Sequence, residues 1–578
     1  MMDADFSTII VKYESLMPGL FGHVKKHSVY SDAIERIASS QMELYPVSIE
    51  HQYQDDNLAA VRCYSFYEKK THQDTTEDVH IWVEGTAYNL DEMAYKYQRY
   101  FNDLNQALLW SYQQERLNEM LVALDGIFCA VLYDRQKRKI MLLTDRYGMR
   151  GLFYYHKNGN FAWASEIKAF LQLEFFDRQV DRQAISCFME LGYLVGDITY
   201  FSCVKLLPPA TLLTYDLDSN RLHRQHYWSW ANIKQSNLSF NDAVDAMSEI
   251  VMRAVHRRID ITESTVFPIS GGLDSRMLLA ATHQLHPEYK GQCYTFGAHS
   301  CADIVLAQQV TDLVGWPHVI HELTPDNWFE KRIPIIWVTD GLLDMQHMHG
   351  CEFVHDITMQ GRFVINGYAG DAILGSSFLS IETKNKRINN NIAEQYYGQY
   401  TYLADIESSF YDTPHVEPNL LMNRVRRFTN MGTLASSAWL EHKKPFLDNE
   451  LIEFVFSLND DYRSGNKLYS AFLLKQFPEF YKTIPWQKNG KTIDNNPSII
   501  MPPCTTENYT NYPDWIRDKD VVKALNIILN PKTALYSHFV NDNWHEEYLI
   551  PHITDNFNRS NKILRAVTIE LFLKNCFQ

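Results

Sequence analysis

The sequence predicts a two-domain α/β protein: a sheet-rich first half, then a half in which helices alternate with short strands of a parallel sheet before a helical C-terminal region. Three observations carry this reading. A chain of 578 residues exceeds the size at which one hydrophobic core keeps growing. The first half shows two-residue alternation with clustered β-branched and aromatic residues. The second half changes to the helical period, set between short apolar runs.

In chain order, strand-like runs occupy 59–66, 79–83, 127–133 and 140–144. Pro208-Pro209 stops regular structure. The first domain is therefore placed at 17–210, behind an N-terminal extension at 1–16, with a linker at 211–240 and the second domain at 241–578. In that second domain, apolar strands are expected at 265–269, 292–296 and 363–365, with amphipathic helices at 242–257 and 304–314. Stretches at 389–391 and 495–497 read as loops.

Hydrophobic residues make up 46% of the chain, ample for two cores. A formal charge of −16 argues against a nucleic-acid-binding face, which needs clustered Lys and Arg. Nine cysteines without a CxxC pair fit reduced thiols better than a disulfide framework. The start, Met1-Met2-Asp3-Ala4-Asp5, is acidic where a secretory signal is basic, and no apolar stretch is long enough to span a bilayer. The expectation is a soluble, cytoplasmic protein with neither a membrane nor a nucleic-acid partner.

The most chemically specific segment is Ser270-Gly271-Gly272-Leu273-Asp274-Ser275, between an apolar strand-like run and a helix-like run. Adjacent glycines let backbone N–H groups approach an anion, the serines add hydroxyl donors, and the helix presents its partly positive N-terminus. Asp274 would repel a polyphosphate unless a divalent cation lay between them, so the loop implies Mg²⁺ as well as phosphate. It lacks the Gly-Lys-Ser/Thr ending of a Walker A sequence, which argues against γ-phosphoryl transfer. SGGLDS resembles instead the pyrophosphate loop of enzymes that cleave ATP to AMP and pyrophosphate, the asparagine synthetase family among them. A second carboxylate is expected to help fix Mg²⁺. Asp371, in Asn366-Gly367-Tyr368-Ala369-Gly370-Asp371 after the strand at 363–365, supplies one at the carboxyl end of the sheet.

The first half carries Leu124-Asp125-Gly126-Ile127-Phe128, Asp145-Arg146-Tyr147-Gly148, Leu152-Phe153-Tyr154-Tyr155 and Ala164-Ser165-Glu166-Ile167-Lys168 in that order. These resemble the class II glutamine amidotransferase domain of asparagine synthetases, which implies an Ntn-hydrolase-like αββα sandwich. That family frees ammonia from glutamine with an N-terminal cysteine whose own α-amine is the base. Here Pro18 stands at that position, behind further residues, and offers neither a thiol nor a free amine. The family's Asn-Gly that holds glutamine reads Glu84-Gly85, although Arg62 matches its carboxylate-binding arginine. The domain is therefore expected to have lost glutamine hydrolysis.

For the second half the resemblance implies a doubly wound PP-loop ATP pyrophosphatase domain with ATP and Mg²⁺ as cofactors. It assigns pyrophosphate to Ser270, Gly271, Gly272, Asp274 and Ser275, and Mg²⁺ to Asp274 and Asp371. It sets Ile269, Phe296 and Gly367 beside the adenosine. Asp303 matches a family acidic residue, or serves as a plain helix N-cap. Glu441-His442-Lys443-Lys444-Pro445-Phe446-Leu447-Asp448 is similar to the family's Glu-x-Arg-x-Pro-Phe-Leu-Asp, with Lys443 for arginine. Lys488, in Trp486-Gln487-Lys488-Asn489-Gly490, matches a catalytic lysine that faces the α-phosphate.

Tyr368 stands where asparagine synthetases carry glutamate, as in β-lactam and carbapenam synthetases. It is either half of a Tyr–Glu base, with Glu394 or Glu407, or a packing residue. His347, His349 and Cys351 alternate as if on one strand face, without an evident fourth zinc ligand. The leading expectation is an AMP-forming, amide-forming ligase acting on a small molecule or peptide that bears a carboxylate and an amine. Intramolecular lactam or macrolactam closure is the favoured subclass. Amidation with free ammonia and an inactive nucleotide-binding scaffold stand as alternatives. A homodimer or partner biosynthetic proteins stay open.

Overall fold

Strands that are apolar on both faces need cover on both sides, and the first domain supplies it in four layers. The computed structural model describes residues 19–25, 47–65, 76, 78–375, 377, 387–555 and 557–577. The extension at 1–16 and Pro18 lie outside the described residues. The strands are β1 (Gly19–Val24), β2 (Val47–Gln54), β3 (Leu58–Ser65), β4 (Val79–Ala87), β5 (Gly126–Asp134), β6 (Lys139–Thr144), β7 (Phe153–Lys157), β8 (Asn160–Ala164), β9 (Val204–Leu206), β10 (Thr211–Asp216) and β11 (Arg221–His226). They form two antiparallel sheets, ordered β2-β3-β1-β8-β7-β9 and β11-β10-β6-β5-β4.

Successive side chains of a strand point to opposite faces, so one strand feeds two cores. Cys129, Val131 and Tyr133 of β5 join Leu20, Leu58 and Trp163 of the other sheet in a core between the sheets. Phe128, Ala130 and Leu132 share a core with helices α1 (Leu90–Tyr97), α2 (Leu104–Gln113) and α3 (Leu117–Ala123). Phe21, Val61 and Tyr155 share theirs with Ile185 and Phe188 of α4 (Arg182–Leu191). The result is an αββα sandwich.

The linker expected at 211–240 is corrected. Its first part is the β10–β11 hairpin, in register from Thr211↔His226 to Asp216↔Arg221, and β10 also pairs with β6. Pro208-Pro209 ends one sheet's strand and feeds the next, with Pro208 accepting from the Thr144 hydroxyl at 2.6 Å. The exposed edge strand β11, Arg-Leu-His-Arg-Gln-His, has no apolar face to announce it.

The second domain begins with α5 (Phe240–His256) and is built on β12 (Thr265–Pro268), α6 (Leu273–Leu285), β13 (Gln292–Gly297), α7 (Ala302–Val314), β14 (His318–Glu322), α8 (Phe329–Val338), α9 (Val354–Gln360), β15 (Phe363–Ile365), α10 (Gly370–Ile373) and β16 (Glu441–Lys443). The sheet is parallel throughout, in the order β14-β13-β12-β15-β16. Phe267, Cys293 and Ile365 pack with α5, α6 and α7. Val266, Tyr294 and Val364 pack on the other side with α8, α9 and the last helix, α11 (Ser560–Phe577). The sheet is thus doubly wound, and its strand order reverses between β12 and β15, where such sheets open a ligand crevice.

Buried polar ties join the halves. Arg258, fully buried, donates to Asp125 and to Asp448, each at 2.8 Å. Arg426 donates to the carbonyls of Gly148 at 2.8 Å and Leu207 at 2.6 Å, and Arg427 to those of Gly196 at 2.6 Å and Ile198 at 2.9 Å. Among the described residues no helix is long and apolar enough to cross a membrane.

Candidate active site

The chain leaves β12 at Pro268, turns through Ser270 to Gly272 and enters α6, whose N-cap glycine has no side chain to satisfy the first-turn N–H groups. Those donors face a cleft of about 390 Å³ lined by Ile269, Ser270, Gly272, Asp274, Ser275, Phe296 and Gly367. The loop is held from within: Ser270 N–H donates to Ser275 Oγ at 3.2 Å, and Gly272 N–H to Ser270 Oγ at 3.2 Å. Gly271 is pinned from outside, its N–H donating to Asp303 Oδ1 at 2.8 Å. Asp303 is thus a clamp on the loop, whereas the N-cap of α7 is Cys301.

Asp274 meets the β15 loop across the reversal point. Asp371 N–H donates to its Oδ2 at 2.9 Å, and the Tyr469 hydroxyl to its Oδ1 at 2.7 Å. Gly370 makes this approach possible, since a Cβ there would stand 2.6 Å from Asp274 Oδ2. Burial, and then the Asp371 carboxylate, push Asp274 up to about 7. A carboxylate so raised gains from a cation. The two aspartates suit Mg²⁺, which binds through one or two carboxylates and fills its other positions with water and phosphate oxygens.

Lys488 lies in the turn closed by the Trp486↔Lys491 bridge. Gln487 N–H donates to the Gly271 carbonyl at 3.1 Å, so the turn is anchored on the phosphate loop. Lys488 itself is exposed, its ammonium 5.2 Å from the Trp486 ring centroid. Lys488 thus stands on an exposed turn beside the phosphate loop and outside the cleft lining.

Tyr368 is corrected more sharply. It is buried at 5% exposure, lies outside the cleft lining and donates its hydroxyl to the Val425 carbonyl. A buried hydroxyl must find a partner, and the Asn366 side chain, accepting from Tyr368 N–H at 2.9 Å, fixes this turn. Glu394 and Glu407 are exposed, and neither is bonded to Tyr368. Among the described residues no glutamate bonds the Tyr368 hydroxyl, and neither Glu394 nor Glu407 forms the expected dyad.

His347, His349 and Cys351 do not share a strand; the first and last sit in the short turns Met345–His347 and Cys351–Phe353. His347 pairs with Asp344 at 2.7 Å, whereas His349 lines the cleft beside Tyr509. Among the described residues no group of three or more His, Cys, Asp or Glu is arranged to hold a metal. Sequence reasoning missed Tyr469, Gly370 and Tyr509: a lone tyrosine carries no spacing signal, and Gly370 shows its purpose only when Asp274 is seen against it.

In the first domain, Glu84 takes the parity of Trp82 and turns in between the sheets. It is buried at 4% exposure, accepts from the Ser165 hydroxyl and pairs with Arg150 at 3.4 Å. Arg62 lines a separate cavity of about 420 Å³ with Gly85, Thr86 and Arg150, its Nη1 donating to the Cys63 carbonyl at 3.0 Å.

This pairing of an antiparallel αββα sandwich with a doubly wound sheet bearing a pyrophosphate-type loop defines an amidotransferase–synthetase architecture. Residues 17–228 match a glutamine amidotransferase domain and residues 246–476 match asparagine synthase. The chain belongs to the asparagine synthetase superfamily, and its first domain is of the Ntn type. It is 24% identical over 438 residues to asparagine synthetase [glutamine-hydrolyzing] 2 of Bacillus subtilis, covering 66% of this chain and 58% of that protein. With asparagine synthetase [glutamine-hydrolyzing] 3 of the same organism it shares 23% over 381 residues, 58% of this chain and 61% of the relative. With putative asparagine synthetase [glutamine-hydrolyzing] 1 of Methanocaldococcus jannaschii it shares 27% over 242 residues, 40% and 41% of the two chains. The matched segments thus span less than two thirds of these relatives' lengths.

Proposed function

We propose that the chain is an ATP-dependent carbon–nitrogen ligase that activates a carboxylate as its adenylate and joins it to an amine without using glutamine. The observation that carries this is the uncapped N-terminus of α6 facing a cleft beside Asp274 and Asp371. Phosphate oxygens take the free N–H groups of that turn and the serine hydroxyls. Asp274 and Asp371 would hold Mg²⁺, and the ion would supply positive charge for the phosphate oxygens. The substrate carboxylate oxygen attacks the α-phosphorus and the bond to pyrophosphate breaks. An amine nitrogen then attacks the acyl carbon, the bond to AMP breaks, and the nitrogen sheds a proton. Lys488, on a turn already bonded to Gly271, supplies positive charge to the departing groups. Tyr368, whose hydroxyl is engaged by Val425, is not assigned as the base.

Two features support a nitrogen source other than glutamine. Pro18 stands where the family's nucleophilic cysteine would be. Glu84, in place of a neutral amide, is taken up internally by Arg150 and Ser165. The amine then belongs to the substrate, and ring closure within one molecule is the favoured subclass.

The test is pyrophosphate release from Mg-ATP across candidate acids, with glutamine, ammonium or amines added in turn, and products identified by mass. Release that needs an amine, with no glutamate formed from glutamine, is expected. Glutamate formed in step with pyrophosphate would refute the loss of glutaminase. A folded protein that neither binds ATP nor releases pyrophosphate would sink the ligase.

A further inference from the structure

The cleft wall opposite the phosphate loop comes from two segments that the loop motifs do not include. His349 stacks on Phe296, with ring centroids 6.4 Å apart and planes 23° apart, and Tyr509 meets Phe296 edge-on at 6.4 Å. Gly350, at φ +83°, lets this turn close, since a Cβ there would stand 2.9 Å from the Phe296 ring. Tyr509 is tied to the same strand end, its carbonyl accepting from Ala298 N–H at 2.8 Å, while Thr506 accepts from Ala302 N–H at 2.9 Å. Position 509 lies beyond the segment matched to asparagine synthase, 246–476.

Both nitrogens of His349 are engaged: Nδ1 with the Tyr512 hydroxyl at 3.1 Å and Nε2 with the Tyr509 hydroxyl at 3.0 Å. Burial, and then the Arg332 charge, hold the ring neutral, so one nitrogen accepts and the other donates. The direction is set from behind. The Arg332 guanidinium lies 5.1 Å from the Tyr512 ring centroid and its charge stabilises electron density on the Tyr512 oxygen, an arrangement that suits a Tyr512 hydroxyl giving its hydrogen to His349 Nδ1. In that tautomer His349 Nε2–H donates to the Tyr509 oxygen, which leaves the Tyr509 hydrogen for the cleft.

We propose that Tyr509 is a nucleobase-binding residue, giving one hydrogen bond to a ring nitrogen of the adenine of ATP, and that His349 is its positioning residue. This rests on the ligase reading. The polyphosphate belongs at the β12–β15 side, with Asp274 and Asp371, so the base extends toward the end of β13, where Phe296, His349 and Tyr509 form an aromatic, uncharged wall. Among the described residues no Lys or Arg lines this cleft, so the wall offers a substrate carboxylate no cation, whereas a purine finds ring faces and a hydroxyl donor.

The experiment is calorimetric binding of Mg-ATP and of Mg-tripolyphosphate, which has no base, to the full chain and to Tyr509→Phe, His349→Ala and His349→Gln, with melting curves as a check on folding. Tyr509→Phe is expected to weaken ATP about ten-fold, the scale of one hydrogen bond, and to leave tripolyphosphate unchanged. His349→Ala should do the same, and His349→Gln, which keeps a donor near Nε2, should restore affinity. Equal ATP affinity in Tyr509→Phe and the parent would overturn the assignment while leaving the ligase intact, as would a rise confined to the KM of the acid substrate. If the parent binds neither ATP nor tripolyphosphate, the ligase reading itself falls.

Discussion

Replacing Gly370 with alanine tests the metal-side geometry directly. The added methyl would stand 2.6 Å from Asp274 Oδ2 and 2.8 Å from Oδ1, with nowhere else to go because the backbone of Asp371 is bonded to that same carboxylate. An ordinary contact needs about 1 Å more, so Asp274 must retreat or the α10 turn must open. Relieving such crowding costs about 1–3 kcal/mol of stability. A displacement of about 1 Å at reacting groups costs roughly 10²-fold in rate, or about 2.7 kcal/mol of barrier. The assay is pyrophosphate release at saturating ATP over a Mg²⁺ titration, with a melting curve recorded alongside. The expected variant is folded, needs more Mg²⁺ and is about a hundred-fold slower. A folded variant with parental turnover and parental Mg²⁺ demand would show that Asp274 and Asp371 do not share a cation.

Arg258→Met leaves the buried Asp125 without its cation while Asp448 keeps Arg257 at 3.1 Å, and the loss is expected to be about 3–5 kcal/mol in urea unfolding at pH 8. Burial and then the Asp448 charge already hold Asp125 up at about 6, against the pull of Arg258. Without that cation the folded Asp125 carboxyl titrates further above its unfolded value, so the penalty is full above the folded pKa and shrinks as pH falls through it. A loss equal at pH 8 and pH 5 would refute this account. Burial and then Arg150 bring the Lys444 ammonium down to about 7, below its unfolded value. The unfolded chain therefore binds more protons between about pH 7 and 10.5, and stability rises with pH there by up to about 1.4 kcal/mol per unit. Lys444→Met should lack that rise; parallel stability curves for the two proteins from pH 7.5 to 9.5 would contradict the assignment.

The elements that the sequence discloses are those with a strong local signature. β4, β5, β6, β12, β13 and β15 fall within a few residues of the runs expected at 79–83, 127–133, 140–144, 265–269, 292–296 and 363–365. The helices expected at 242–257 and 304–314 are α5 and α7. β14 and β16 escape notice because edge strands as short and polar as His318–Glu322 and Glu441–Lys443 carry neither alternation nor length. Asn389, read as loop, caps the helix Asn390–Tyr397 by accepting from Ile392 N–H at 3.1 Å. At the site, the loop at 270–275 is contiguous and therefore legible, as is Asp371. Where a long side chain points is decided by partners distant in sequence: Val425 for Tyr368, and Tyr509 and Tyr512 for His349. No motif encodes those.

The arginine ties between the halves bear on how this chain can change over time. Arg426 and Arg427 spend their donors on carbonyls of Gly148, Leu207, Gly196 and Ile198, all in the part of the chain before α5. A gene shortened to its second half would leave these guanidinium groups facing nothing, in a surface shaped to be interior. The first half is thereby retained as scaffolding whatever becomes of its own chemistry. The cavity beside Arg62 and Gly85 lies apart from these carbonyls, so substitutions there leave the arginine ties intact, while substitutions at the residues that meet the arginines do not.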